Sequence, residues 1–316
     1  MYLGLYRYDL PLTKPFFLQN QFLTVRSGLL IRSGNFWGEI CPLKGFSEET
    51  LEEAQAEALL WMKSKVQHQD YQLKLRTVQF GVDCMNAHFS YDTSLFSHNS
   101  LKYKLLIGKP KQILFDWFQL IDNYPEYAKI NVAQYSLKDE LRLIKEICKK
   151  APNIKLIIDA SCSWTREEAL TIINHLSRDN LFYIEDPCSS LEDTIYISRL
   201  TGIPIAVDHL FQRYSLSQCC QIPTIKAVVI KPSFLGRIQI TLGLFKECKM
   251  RNIEPIFGTA FESQVGTYNI RLIREMCGKK FFFGINPDEM FKESLFKPGT
   301  TEVDEDKLTV IQEYIS

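Results

Sequence analysis

The chain has 316 residues, 46% of them hydrophobic, and its 37 Lys plus Arg balance 37 Asp plus Glu. This is a soluble, globular composition with room for one large domain and a smaller one, and a balanced charge without basic runs gives no footprint for nucleic acid or an anionic membrane. The implied partner is a small molecule.

The amino-terminal stretch MYLGLYRYDLPLTKPFF lacks the long apolar core of a signal peptide. No window reaches the roughly 18 uninterrupted apolar residues of a membrane span, so the expected location is cytoplasmic. Nine cysteines stand singly or as the adjacent pair Cys219 and Cys220, with no CxxC pair and no His at zinc-finger spacing. They read as reduced, mostly buried thiols rather than a disulfide framework or structural zinc site.

In chain order, YLGLYRYDLPL and SGLLIRSGNFWGEICPL predict antiparallel strands joined by a loop. SEETLEEAQAEALLWMKSK then predicts a helix with Ser47 as N-cap and Leu51, Ala54, Ala58 and Met62 on one stripe. These form an α+β element over residues 1–98, and HFSYDTSLFSHNS (88–100) is the expected junction to a second domain over 99–316. The C-terminal tail is expected to pack back on the first.

From about residue 100 a β-branched run, a polar turn and a stretch with helical spacing repeat. The runs are KLLIG (104–108), AKINV (128–132), IKLIID (154–159), LFYIED (181–186), IPIAVD (203–208), IKAVVIK (225–231), EPIFGT (254–259) and FFFGIN (281–286). Between the second and third, Leu137, Leu141, Ile144 and Cys148 form a helical stripe, with Ser136 and Asp139 as a capping pair. Buried strands alternating with helices argue for βαβ units, and eight units about 25 residues apart argue for a closed (β/α) TIM-type barrel; an open doubly wound sheet is the alternative.

Working residues of such a barrel project from the carboxyl ends of its strands. At the carboxyl ends of four successive runs stand Asp159, Glu185 (just before Asp186), Asp208 and Lys231, at intervals of 23 to 26 residues. Three converging carboxylates repel one another unless a cation lies between them, and ligation by oxygen alone favours Mg²⁺ over Mn²⁺ or Ca²⁺. The competing reading is that each acid caps the helix after it. Lys231 closes an apolar strand and needs a counter-charge or a task. In AKINV, Lys129, Asn131 and Ala133 share one face and Ile130 and Val132 the other. Metal plus lysine is the apparatus for removing a proton beside a carboxylate, so the expected partner is a small-molecule carboxylate.

AKINV, IIDAS, YIEDP, IAVDH and VVIKPS, in that order and spacing, resemble the enolase superfamily, and WGEICPLKGFSEETLEEA, FGVDC and GTAFES resemble the o-succinylbenzoate synthases of menaquinone biosynthesis. The resemblance spans nearly the whole chain. It implies an enolase-like fold, with an N-terminal α+β capping domain on a modified barrel, and Mg²⁺ held by Asp159, Glu185 and Asp208. The implied reaction is dehydration of 2-succinyl-6-hydroxy-2,4-cyclohexadiene-1-carboxylate to 2-succinylbenzoate, by a lyase. Lys231 is then the cation that stabilises the enediolate, Gly258 and Thr259 lie near the substrate, and the amino-terminal loop FFLQNQFLTVRSG, with Arg26, closes over it.

The family carries Lys-x-Lys on the second barrel strand, and its second Lys is the base. Here that position is Asn131, whose amide takes up no proton near pH 7. Ser161 stands where DAN usually ends, and His209 follows Asp208 where DES is usual. Three explanations stand: Lys129 acts as base, the chain is a weakened or non-catalytic relative that keeps fold and metal site, or the site runs another reaction with Lys231 alone. A racemase of the superfamily is less favoured, since inversion needs an acid and a base on opposite faces.

Overall fold

The structure is a computed structural model that describes residues 2–18, 21–88, 103–106, 108–120, 124–278 and 287–315. By its contacts the chain divides into two compact units, one comprising Met1–His98, Ile230–Glu247 and Phe257–Ser316, the other Asn99–Val229 and Cys248–Ile256. Most of the expected junction lies outside the described residues.

The first unit is built on an antiparallel sheet of β1 (Tyr2–Leu18), β2 (Gln21–Ser33), β3 (Phe36–Ile40) and the C-terminal strand Thr309–Ile315, ordered with the C-terminal strand beside β1. Side chains alternate across the pleat. Leu3, Leu5, Leu29 and Ile31 therefore face the helices Leu51–Val66 and Arg76–Asn86, where they meet Ala58, Met62, Val78 and Val82. Tyr6, Tyr8, Leu10 and Leu30 take the other face, against Val265 and Tyr268 of the helix Gln264–Met276 and Phe291, Phe296 and Val303 beyond it. The sheet is thus buried on both sides, which explains its aromatic and aliphatic density.

Thr50, rather than Ser47, caps the first helix. It accepts from the Glu53 amide while Glu53 reaches back to the Thr50 amide, a complete capping box. Ser47 instead closes a turn, its hydroxyl accepting from the Leu43 amide at 2.9 Å. The motif residues Gly38 and Gly81 have a steric explanation. A Cβ on Gly38 would lie 1.8 Å from the Gly81 carbonyl oxygen, and one on Gly81 would lie 2.5 Å from Ile40. The helix backbone rests directly on the strand.

The second unit carries the parallel sheet: β4 (Tyr103–Leu106), β5 (Tyr127–Asn131), β6 (Lys155–Asp159), β7 (Leu181–Glu185), β8 (Ile205–Val207), β9 (Ile225–Ile230) and β10 (Glu254–Phe257), neighbours in chain order. These seven are the parallel strands among the described residues. The eighth expected run, 281–286, lies outside them. Three of the helices between strands are capped by a hydroxyl just before them: Ser136 before Leu137–Lys150, Thr165 before Arg166–Ile173 and Ser190 before Leu191–Thr201. In the first of these the buried stripe is Glu140, Leu143, Ile144 and Ile147. Leu137, Leu141 and Cys148 are only half-buried, because the Glu140 carboxylate turns inward to accept the Gln134 and Tyr135 amides and rotates the stripe. All nine cysteines are free thiols, five of them buried. No helix among the described residues is long and apolar enough to cross a membrane.

Gly38→Ala should lower the free energy of unfolding by roughly 1–3 kcal/mol or more, the cost of overpacking where backbone cannot retreat. Urea denaturation measures this, and an unchanged midpoint would refute the close approach.

Candidate functional site

Register fixes the row of side chains at the carboxyl end of the parallel sheet. Asn131 pairs with Asp159 and Asp159 with Glu185, so the three lie abreast on adjacent strands and point to one face. Lys129, two residues back on β5, shares that face. Its ammonium reaches forward to Asp159 Oδ2 at 2.8 Å and Glu185 Oε1 at 2.7 Å. Ala133 does not join them, since its φ of 63° takes the chain out of the strand.

The acids are not helix caps. Thr165 and Ser190 cap the helices after β6 and β7, and Asp208, which precedes the short helix His209–Arg213, makes no side-chain cap bond. That helix is held by Asp186, whose buried carboxylate accepts the amides of Asp208, His209 and Leu210. With capping assigned to other residues, Asp159, Glu185 and Asp208 remain as three carboxylates, each at least nine-tenths buried.

Burial and charge act on them unequally. Burial raises the Asp159 carboxyl, but Lys129, His209 and the Ser161 amide, which donates at 2.8 Å, outweigh it and hold the group below the usual carboxylate range. Glu185 is pushed up to about 8, first by burial and then by the charges of Asp159 and Asp208, against the pull of Lys129. The two share one ammonium, and the difference lies in the extra donors around Asp159. Burial lowers the Lys129 amine, yet Asp159, Glu185, Tyr103 and Asp208 together raise it well above its ordinary value, so it is held as a cation. Burial also pushes Asp186 up to about 7, with Asp208 and Asp159 adding to it.

Asp159, Glu185 and Asp208 outnumber the ammonium of Lys129, and all are hard oxygen donors. Donors of this kind are the ones a divalent cation such as Mg²⁺ takes. Beside it the buried Asn131 Oδ1 has no hydrogen-bond partner, a costly state unless a ligand supplies a donor.

Lys231 follows β9 directly and precedes the short helix Pro232–Leu235, its ammonium 5.8 Å from the Phe234 ring centre. Gly258 and Thr259 follow β10 and are buried, the Gly258 amide donating to the Ile230 carbonyl at 2.9 Å.

Arg26 corrects the sequence reading. It lies in β2, paired with Leu10 of β1, not on a loop. Its guanidinium donates to the carbonyls of Pro42 and Cys41 at 2.7 Å each, and to those of Phe261, Ala260 and Ser27 at 3.2 to 3.4 Å. All five donors are thereby used on backbone, and Arg26 anchors the segment after Thr259.

A second anchor escaped the sequence reading. Buried Glu39 accepts from Tyr8 Oη at 2.6 Å, from the amide and hydroxyl of Ser263 and from the Gly266 amide at 2.7 Å, so an anion sits on the amino terminus of the helix Gln264–Met276. The glutamate of WGEI and the serine of GTAFES are the two ends of this contact, a pairing no local periodicity reveals.

The comparisons agree with this architecture. Residues 2–89 match the family model described as MenC, N-terminal domain, and 119–284 match that described as enolase C-terminal domain-like. A relative from Yersinia enterocolitica named o-succinylbenzoate synthase is 30% identical over 83% of this chain and 82% of its own. One of the same name from Pasteurella multocida is 27% identical over 93% and 91%. Among solved structures, the o-succinylbenzoate synthase of Thermosynechococcus elongatus, with magnesium in its active site, superposes with a TM-score of 0.73 at 20% identity, covering 92% of this chain and 95% of that one. The L-Ala-D/L-Glu epimerase of Bacillus subtilis superposes with a TM-score of 0.74 at 16% identity, covering 99% of each. Likeness at such identities establishes the fold.

A carboxyl whose folded pKa is raised contributes stability that is complete below its unfolded value and lost as pH rises through the folded one. For Glu185 that window runs from 4.5 to about 8. In metal-free protein, Glu185→Gln should therefore flatten the fall in stability between pH 5 and 8, relative to wild type, by up to about 1.4 kcal/mol per pH unit. Parallel urea titrations would detect this, and identical pH slopes would contradict it.

Proposed function

Since the chain belongs to the o-succinylbenzoate synthase family, with an enolase-type carboxyl-terminal domain, we propose that it catalyses dehydration of 2-succinyl-6-hydroxy-2,4-cyclohexadiene-1-carboxylate to 2-succinylbenzoate, a step of menaquinone biosynthesis. The observation that carries the reading is the set of strand-end acids without a capping bond, Asp159 and Glu185 abreast and Asp208 just past the end of the next strand. These three would hold Mg²⁺, with Mn²⁺ able to substitute. When bound, the ion neutralises charge on the enediolate that forms when the proton beside the substrate carboxylate is removed.

The remaining work falls to the chain's own side chains. Asn131 occupies the position of the usual base and cannot take the proton. Its unpartnered Oδ1 accepts a hydrogen bond from a substrate donor instead. Lys129 is the amine left on that strand, and we assign it the proton transfer: it takes the proton from the carbon beside the carboxylate and returns it to the departing hydroxyl, releasing water. Its ion pairs with Asp159 and Glu185 keep it protonated while they persist, so little free amine is available to take a proton and turnover is slower than with Lys at 131. Lys231 is assigned the stabilising cation and Gly258 with Thr259 the substrate-contacting segment, on the match of VVIKPS and GTAFES to the family pattern. The substrate is a soluble small molecule, in keeping with a cytoplasmic enzyme.

Asn131→Lys should raise activity by roughly 10² to 10⁴, the usual worth of a positioned acid or base, about 3 to 5 kcal/mol of barrier. Lys129→Ala should abolish the wild-type rate. Steady-state assays on the synthesised substrate compare the three proteins; an inactive wild type whose Asn131→Lys variant folds, binds Mg²⁺ and gains nothing would favour a non-catalytic relative.

Metal binding is tested separately by titration calorimetry. Mg²⁺ should bind wild type with a stoichiometry of one, and Asp208→Asn should weaken it at least about tenfold, as loss of a single carboxylate ligand requires. Equal affinity in both proteins would remove Asp208 from the ligand set.

A further inference from the structure

We propose that Cys162, Asp186 and His209 form a second metal site, distinct from the three-carboxylate set, that takes a borderline-soft divalent cation such as Zn²⁺. The Cys162 sulfur, one Asp186 carboxylate oxygen and one His209 ring nitrogen lie within 4.8 Å of one another, the one such grouping of His, Cys and acidic residues found among the described residues. A tetrahedral ion with bonds of about 2.0 to 2.3 Å needs ligand atoms some 3 to 4 Å apart, so small side-chain rotations close the site. Mixed sulfur, nitrogen and oxygen donors select Zn²⁺ or Co²⁺ over Mg²⁺, which prefers oxygen alone. Three protein ligands leave a fourth position open.

The ligands come from the same three strand ends as the acids, displaced outward along the chain: Cys162 lies three residues past Asp159, Asp186 one past Glu185 and His209 one past Asp208. Backbone holds them in place before any ion binds. The Cys162 amide donates to the Asp186 carbonyl at 2.7 Å, and the Trp164 amide to the Pro187 carbonyl at 3.1 Å, lacing the two loops together. Ser161, Cys162 and Asp186 adopt φ of 47°, 63° and 43°, a left-handed backbone that is strained for side-chain-bearing residues. The Asp186 carboxylate is oriented by the amides of Asp208, His209 and Leu210, the kind of outer support ligating carboxylates have. Arg213 donates to the Cys162 sulfur at 3.2 Å, a partial offset to the burial and the Asp186 charge that push this thiol up; an incoming ion therefore displaces the thiol proton as it binds.

The test uses Co²⁺ on the full-length protein in excess Mg²⁺, so that the oxygen site is occupied. Wild type should develop a sulfur-to-cobalt charge-transfer absorption saturating at one equivalent and reversed by Zn²⁺. Cys162→Ser should lose the band, and His209→Ala should weaken binding roughly tenfold or more, both with wild-type circular dichroism. Absence of the band from wild type, or its persistence in Cys162→Ser, overturns the proposal. A measurement on wild type alone covers the case of a variant that fails to fold. Zn²⁺ should protect Cys162 from iodoacetamide, located by peptide mass spectrometry, while the half-buried Cys148 and Cys220 stay as reactive as without it. Unchanged Cys162 labelling with Zn²⁺ overturns the site as well.

Discussion

Buried negative charge at the ends of consecutive strands is the constraint around which the parallel sheet is organised. Asp159, Glu185 and Asp208 could each satisfy a helix amino terminus, which would disperse the charge. The chain assigns that task elsewhere, to Thr165, Ser190 and Asp186, and keeps the acids concentrated. Lys129 then becomes necessary. Its ammonium bridges Asp159 and Glu185, and removing one partner of such a buried set leaves uncompensated charge worth roughly 3–5 kcal/mol.

The antiparallel unit meets the same problem with different means. Its buried anion, Glu39, receives the amides of Ser263 and Gly266 and the hydroxyls of Tyr8 and Ser263, so charge is met by a helix terminus rather than a cation. Gly266 is required there, because a Cβ would lie 2.6 Å from Glu39 Oε2. Arg26 plays the converse part, a buried cation satisfied by five carbonyls. Both contacts tie a segment near residue 260 to strands near residue 30, which turns scattered sequence motifs into one packed element.

Function follows from what these two solutions leave unspent. In the parallel sheet an oxygen-rich pocket of charge and the unpaired oxygen of Asn131 are suited to a cation and a hydrogen-bond donor, while the amine best placed to move a proton is held by the carboxylates beside it. Under the proposed function, chemistry at the site would depend on relieving the ion pairs of Lys129. The outer triad of Cys162, Asp186 and His209 adds softer donors on the same strand ends.

The sequence by itself determined the βαβ alternation and the strand-end acids, because these rest on local periodicity and on one acid per repeat, while the reading of Asn131 as an amide in place of a base rests on the resemblance of AKINV to a family pattern. It also determined caps such as Ser136, whose partner is three residues away. Tertiary structure alone decided which side chains share a charge and which backbone groups consume a donor. Thr50 took the cap expected of Ser47 because the turn over 43–47 claims the Ser47 hydroxyl. Glu140 rotated a helical stripe by reaching for amides before the helix. Arg26 looked available to a substrate until carbonyls more than 230 residues away in sequence occupied two of its donors. Hydrogen-bond partners are chosen by distance in space, and no pattern along a single strand or helix contains that distance.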